Sequence, residues 1–110
     1  MGKQISVQGG NLDVEFVRDV SKVIKALGHP DRLRIVELIQ YGYMKVKEIQ
    51  ERLELSQALT SQHLRQMYHL GIVTSKREGQ NVLYGIGNPI VMKLLHCLEE
   101  TQRALTEDKV

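Results

Sequence analysis

Residues 55–86, LSQALTSQHLRQMYHLGIVTSKREGQNVLYGI, limit the fold of this chain more than any other stretch. Ser56 is a residue that caps helices, and Gly71 is one that ends them. Between them, at ~100° per residue, Thr60, His63, Leu64 and Met67 share one side of a helix. Ala58, Ser61, Gln62, Arg65 and His69 share the other. The spacing therefore predicts a helix over 56–70 that buries Leu64 and Met67 and presents small polar groups and one arginine. Residues 72–76 and 82–86 are β-like, and Glu78-Gly79-Gln80-Asn81 supplies the turn chemistry of a hairpin.

The rest of the chain must pack against that unit. Phe16, Val17, Val20, Val23, Ile24 and Leu27 recur at helical steps over 12–27, and Gly28 stops the pattern. Pro30 suits the first position of a second helix, whose apolar face runs through Leu33, Ile35, Val36, Leu38 and Ile39. Tyr41-Gly42-Tyr43 breaks it. Val46, Ile49 and Leu53 mark a short third helix over 46–53, with Glu54-Leu55 as the turn before Ser56. Asn88-Pro89 opens a last helix carrying Val91, Leu94, Leu95 and Leu98, which fades near Thr106. The expected fold is mainly α with a small β-hairpin: four helices, the hairpin and a fifth helix. Two helices across a tight turn, followed at once by a hairpin, read as a winged helix-turn-helix. Its domain spans 12–105, between flexible tails at 1–11 and 106–110.

Bulk properties agree with one small domain. A chain of 110 residues builds a thin core that a second copy would help to cover. The net charge is +2, so global electrostatics do not call for a polyanionic partner. Distribution does: residues 55–77 hold Arg65, Lys76 and Arg77 and no carboxylate, while the acids cluster at Asp13, Glu15 and Asp19 and at Glu99, Glu100, Glu107 and Asp108. One cysteine, Cys97, excludes an intrachain disulfide. No apolar run approaches the ~20 residues of a membrane span, nothing resembles a signal peptide, and the cytoplasm is the expected location. No nucleophile–base set, phosphate loop or cofactor fingerprint points to an enzyme.

The outward residues of the 56–70 helix suit a DNA major groove. Gln57 lies at the helix start, where glutamine can bond bidentately to adenine; Ser61 and Gln62 can pair with base edges; the Ala58 methyl can meet a thymine methyl. Ser56 and the free first-turn N–H groups can hold a phosphate. Arg65 adds a cation. Lys76 and Arg77 would lie near the backbone or adjacent minor groove, with Gln80 and Asn81 at the wing tip. His63 is included among the DNA-facing residues, although beside Leu64 a packed, hydrogen-bonded role is the stronger reading of its position.

At these residues the chain resembles the ArsR/SmtB family of small bacterial winged-helix repressors. Residues 26–35, ALGHPDRLRI, are similar to the family's A-L-x-x-P-x-R-L-x-I opening, and residues 55–64, LSQALTSQHL, to its L-S-Q-x-x-x-S-x-H-L recognition helix. Gly71-Ile72-Val73 and the wing over 77–84 complete a resemblance that covers residues 20–98. It implies a homodimer, joined through its first and last helices, that binds a palindromic double-stranded operator. Phe16, Val20, Ile24 and Leu27 would then meet Leu94, Leu95 and Leu98 of a second copy.

Two metal sites of the family have no ligands here. Its Cys-x-Cys pair aligns with Lys45-Val46-Lys47, and its Asp-x-His pair aligns with Asn88 and Ile90, with the later pair near Thr101 and Ala104. No cofactor or metal is expected, and the inducing signal is not legible. Two alternatives remain at this point. One is a metal- or redox-responsive switch using His96, with Glu99 and Glu100 on its helical face, or using Cys97, whose more ordinary fate is a packed small hydrophobe. The other is a winged-helix module that binds protein instead of DNA.

Overall fold

The computed structural model describes residues 10–108. The first helix, α1 (Val14–Ala26), is followed by α2 (Pro30–Ile39), a short strand β1 (Met44–Lys45), α3 (Val46–Leu53) and α4 (Gln57–His69). A hairpin of β2 (Val73–Glu78) and β3 (Asn81–Ile86) leads to α5 (Pro89–Asp108). All five helices and the hairpin stand where the apolar periodicity puts them. The winged helix-turn-helix architecture follows from this order.

Local chemistry explains the boundaries. Pro30 occupies the first turn of α2, where its missing N–H is no loss. The Glu48 carboxylate accepts from the Lys45 N–H at 3.0 Å and so opens α3. Ser56 Oγ accepts from the Leu59 N–H at 3.1 Å and caps α4. At α5, Asn88 Oδ1 accepts from the Ile90 N–H at 2.8 Å.

The helices α3 and α4 end in the same way. After α4, Gly71 takes φ 77, its N–H bonds Tyr68 O at 3.0 Å, and the Ile72 N–H bonds Met67 O at 2.9 Å. After α3, Glu54 takes φ 57, with Leu55 N–H bonded to Gln50 O at 2.9 Å and Glu54 N–H to Glu51 O at 3.4 Å. Both are paired C-terminal hydrogen-bond motifs that need a left-handed residue. A glutamate there is a strained choice, because its Cβ crowds the following carbonyl. That residue makes the turn between the two helices.

The sheet departs from expectation. It has three strands in the order β1-β3-β2, with Met44 opposite Tyr84 and Lys45 opposite Leu83. The hairpin is also longer than the one expected. Its strands pair as far as Glu78 and Asn81, leaving a two-residue loop at Gly79-Gln80 in which Gly79 has φ 64. Glycine at the first central position is what a type II′ turn requires, and that turn matches the strand twist.

At the termini, the tail expected over 1–11 lies outside the described residues as far as residue 9. The helix of α5 continues through Thr106 to Asp108 instead of fading.

The core gathers Val23, Ala26 and Leu27 from the α1 end, Ile35, Val36 and Ile39 from α2, Ile49 from α3, Leu64 and Met67 from α4, Ile72 and Val73 at β2, and Val91 and Leu95 from α5. Leu27 is 7% exposed and Leu95 2% exposed, so both close this chain's own core. They offer almost no surface to a second copy, which corrects their assignment to a dimer face. Leu64 is fully buried under the helix that carries the outward polar residues. Replacing it with alanine should cost about 2–5 kcal/mol from lost burial and a cavity, read as a lowered urea midpoint. An unchanged midpoint would show that the core does not depend on this seam.

Candidate nucleic-acid interface

The buried stripe of α4 is Thr60, Leu64 and Met67. Thr60 is polar but satisfied, since its Oγ1 donates to Ser56 O at 2.8 Å. With that stripe inward, Gln57, Ala58, Gln62, Arg65 and His69 are exposed and Ser61 is half-buried. Ala58, Gln62, Arg65 and His69, together with Gln66, line one shallow concavity of the outer surface. Ser56 is exposed, with its hydroxyl committed to the cap. The helix carries no Asp or Glu from end to end.

The wing places its cations differently from each other. Lys76 and Arg77 both lie within β2, not at its end, and both are exposed. Lys76 Nζ sits 4.4 Å from the centre of the Tyr43 ring, a cation–π contact. The same ring lies over Gly85, where a Cβ would come within 2.9 Å of it. Tyr43 thus clamps the base of the wing, and the sequence reading passed it over as a helix breaker. Gln80 and Asn81 are exposed at the tip, beside Glu78.

His63 is half-buried and turned away from the outward set. Its Nδ1 accepts from Arg32 Nε at 3.0 Å. Arg32 also donates through Nη2 to Gln66 Oε1 and through Nη1 to Ala26 O at 3.3 Å. It is only 8% exposed. Of the two readings of His63, the geometry favours the packed, hydrogen-bonded one. The sequence signal for Arg32 was available: it stands one turn from Ile35 and Val36 on the apolar face of α2. A charge on that face demands partners.

The metal and redox alternatives gain no cluster. Among the described residues no group of three or more His, Cys, Asp or Glu side chains is placed to hold a metal ion. His96 Nε2 lies 3.2 Å from Glu100 Oε2 on the surface, but Glu99 turns instead to accept from Gln40 Nε2 at 2.9 Å. Cys97 is exposed, contrary to the packed role expected for it, because it faces away from the Val91 and Leu95 side of α5.

Comparison with known proteins places this architecture. The family model "Bacterial regulatory protein, arsR family" matches residues 29–75, from the start of α2 to the first residues of β2. The transcriptional repressor PagR of Bacillus anthracis is 33% identical over 87 residues, 78% of this chain and 87% of PagR. This chain belongs to the ArsR family. The transcriptional activator HlyU of Vibrio cholerae is 33% identical over 76 residues, 69% of this chain and 70% of its own. A solved structure of HlyU superposes with a TM-score of 0.75 at 28% identity, covering 80% of this chain and 96% of that one. The homodimeric winged helix-turn-helix DNA-binding domain of Mb0332 from Mycobacterium bovis gives 0.69 at 26% identity, covering 87% and 91%. This ArsR-family chain has no helix, among its described residues, long and apolar enough to cross a membrane.

Burial, and then the Arg32 charge beside it, hold the His63 pKa below 6.5; His29 lowers it further and Asp31 opposes them. The unfolded chain therefore takes up a proton that the folded chain resists. The His63 contribution to stability is full above pH 6.5 and is lost as pH falls through the lower folded value. The urea midpoint of the wild type should fall on acidification from pH ~8 to ~5, and His63→Asn should fall less. A midpoint that rose in the wild type would contradict the assignment.

Proposed function

We propose that this ArsR-family protein is a sequence-specific regulator of transcription, a homodimer whose two α4 helices enter successive major grooves of a palindromic operator. The observation that carries this reading is the outer face of α4. It offers amide, hydroxyl and guanidinium groups, has no carboxylate, and sits beside a two-stranded wing with exposed cations. Gln57, Ser61 and Gln62 would read base edges, Arg65 and Arg77 would meet phosphates, and Gln80 and Asn81 would lie at the wing tip. Lys76, held over Tyr43, would stiffen the wing while adding to its positive surface. Occupying the operator would exclude polymerase or a competing activator, as the name of PagR, a repressor, supports. The family is one of regulators, and no catalytic role is assigned to this chain.

The dimer reading rests on what the monomer leaves uncovered. Phe16 is 46% exposed and Ile24 54% exposed on α1, with Val20 half-buried between them. Leu94 is half-buried and Leu98 exposed on α5. Leu105 lies close to the Leu98 direction on α5 and is also exposed. A patch of this kind on two adjacent helices marks an association surface. The Mb0332 domain is a homodimer, which supports the same arrangement here.

Two measurements test the proposal. Gln57→Ala and Ser61→Ala should each weaken operator binding by about 1–3 kcal/mol per lost base contact, with little change on scrambled DNA. Arg77→Ala should weaken both DNAs alike and flatten the salt dependence. Equal wild-type affinity for the selected operator and scrambled DNA would sink the specific reading. For the dimer, Phe16→Glu with Ile24→Glu should shift sedimentation to the monomer mass while the far-UV circular dichroism stays helical. A dimer that survives both charges would move the interface elsewhere.

A further inference from the structure

One guanidinium joins three helices. From α2, Arg32 reaches the last residue of α1 through Ala26 O, and reaches α4 twice, through His63 Nδ1 at 3.0 Å and Gln66 Oε1. The planar fork of an arginine fixes the directions of these bonds. His63 and Gln66 are three residues apart, on the flank of α4 next to Gln62 and Arg65. The roll and slide of α4 that bring His63 and Gln66 to Arg32 therefore also set where Gln62 and Arg65 point.

We propose that Arg32 is a positioning residue for the DNA-reading helix, acting through His63 and Gln66, and that a proton on His63 releases it; the DNA-binding consequence rests on the function proposed above. The His63–Arg32 bond exists only with Nδ1 unprotonated. A proton on Nδ1 makes it an N–H donor facing another N–H donor, and places an imidazolium beside a guanidinium. The charged and titratable groups acting on His63 come from α2 and the link before it. Arg32 and the His29 ring, 5.9 Å away, disfavour the cation, and Asp31 favours it. Asp31 is itself shared with Arg34 at 3.8 Å. Once the bond to His63 breaks, Gln66 alone ties α4 to Arg32, and the reading face loses a directional bond that sets its slide along the core.

The signature differs from ordinary charge effects. Extra protons on a DNA-binding protein strengthen its attraction to every phosphate backbone. Release of α4 instead weakens the specific complex alone, so the ratio of specific to non-specific affinity falls in acid.

The experiment uses full-length protein and a DNA sequence selected from a random library at pH 7.5. Affinities for that sequence and for scrambled DNA are measured at pH 7.5 and 5.5 and fixed salt, for wild type, His63→Asn and His29→Asn. Asparagine keeps an acceptor near the Nδ1 position but does not titrate. Wild type and His29→Asn should lose specificity about fivefold or more in acid, within the usual range of coupling between sites. His63→Asn should lose little. Hydrogen exchange without DNA, corrected for intrinsic rates, should show α4 losing protection in acid relative to α2 in wild type but not in His63→Asn. In the wild type alone, the His63 ring nitrogens and the α4 amides should titrate with one shared midpoint, a test that needs no variant to fold.

An equal acid response in wild type and His63→Asn, or separate midpoints for the ring and α4, overturns the proposal. If no sequence is selected, it is the DNA reading that fails. Exchange and titration then still decide whether a proton on His63 frees α4 from Arg32.

Discussion

The structure depends on one buried seam, the stripe of Thr60, Leu64 and Met67 along α4. A helix has a single roll about its axis. Once this stripe is fixed against the core, the direction of every other side chain on α4 is fixed too. Full burial of a leucine or methionine contributes about 1.5–3 kcal/mol. A single base contact contributes a similar amount, about 1–3 kcal/mol. The seam holds two such residues plus a threonine whose hydroxyl is satisfied within its own helix, so no one contact on the outer face can turn the helix against its core.

An apolar seam fixes roll better than it fixes slide, because dispersion contacts have little direction. The polar cluster at Arg32 supplies direction. Its position is demanding, since a nearly buried guanidinium without acceptors would cost more than the seam returns. Three acceptors, Ala26 O, His63 Nδ1 and Gln66 Oε1, meet that demand, and all three are neutral. They come from α1 and α4, so satisfying one side chain aligns the helices on either side of α2. Tyr43 serves the wing in a parallel way, with its ring against both Gly85 and the Lys76 ammonium.

Much of this was legible in the sequence, and the gaps have physical causes. Pro30 and Ser56 mark helix starts because each answers the unpaired N–H groups of a first turn. Gly71 marks an end because it adopts a left-handed backbone freely. Glu54 does the same work without that signal, so the turn was visible only through its flanking helices. The strand β1 escaped because two residues carry no alternation; only its pairing with β3 defines it. Periodicity placed Leu27 and Leu95 on apolar stripes but could not say which part of each stripe the chain covers itself. Both lie where α1 and α5 meet the core, while Phe16, Ile24 and Leu98 lie where they leave it. Arg32 stood inside a recognised motif with no role, because its partners lie 31 and 34 residues away.

These positions bear on how such a protein could respond to its surroundings. In the proposed dimer, the apolar surfaces of α1 and α5 set the distance between the two copies of α4, and the Arg32 cluster sets the orientation of each. The cluster touches the last residue of α1 through Ala26 O, so the two controls meet at one junction. A change in how α1 seats against a second copy would therefore reach α4 through a buried side chain of α2, with Leu27 packed beside the same junction. A displacement at that junction would reach the reading face through the three hydrogen bonds of one guanidinium, whose planar fork tolerates little change in direction.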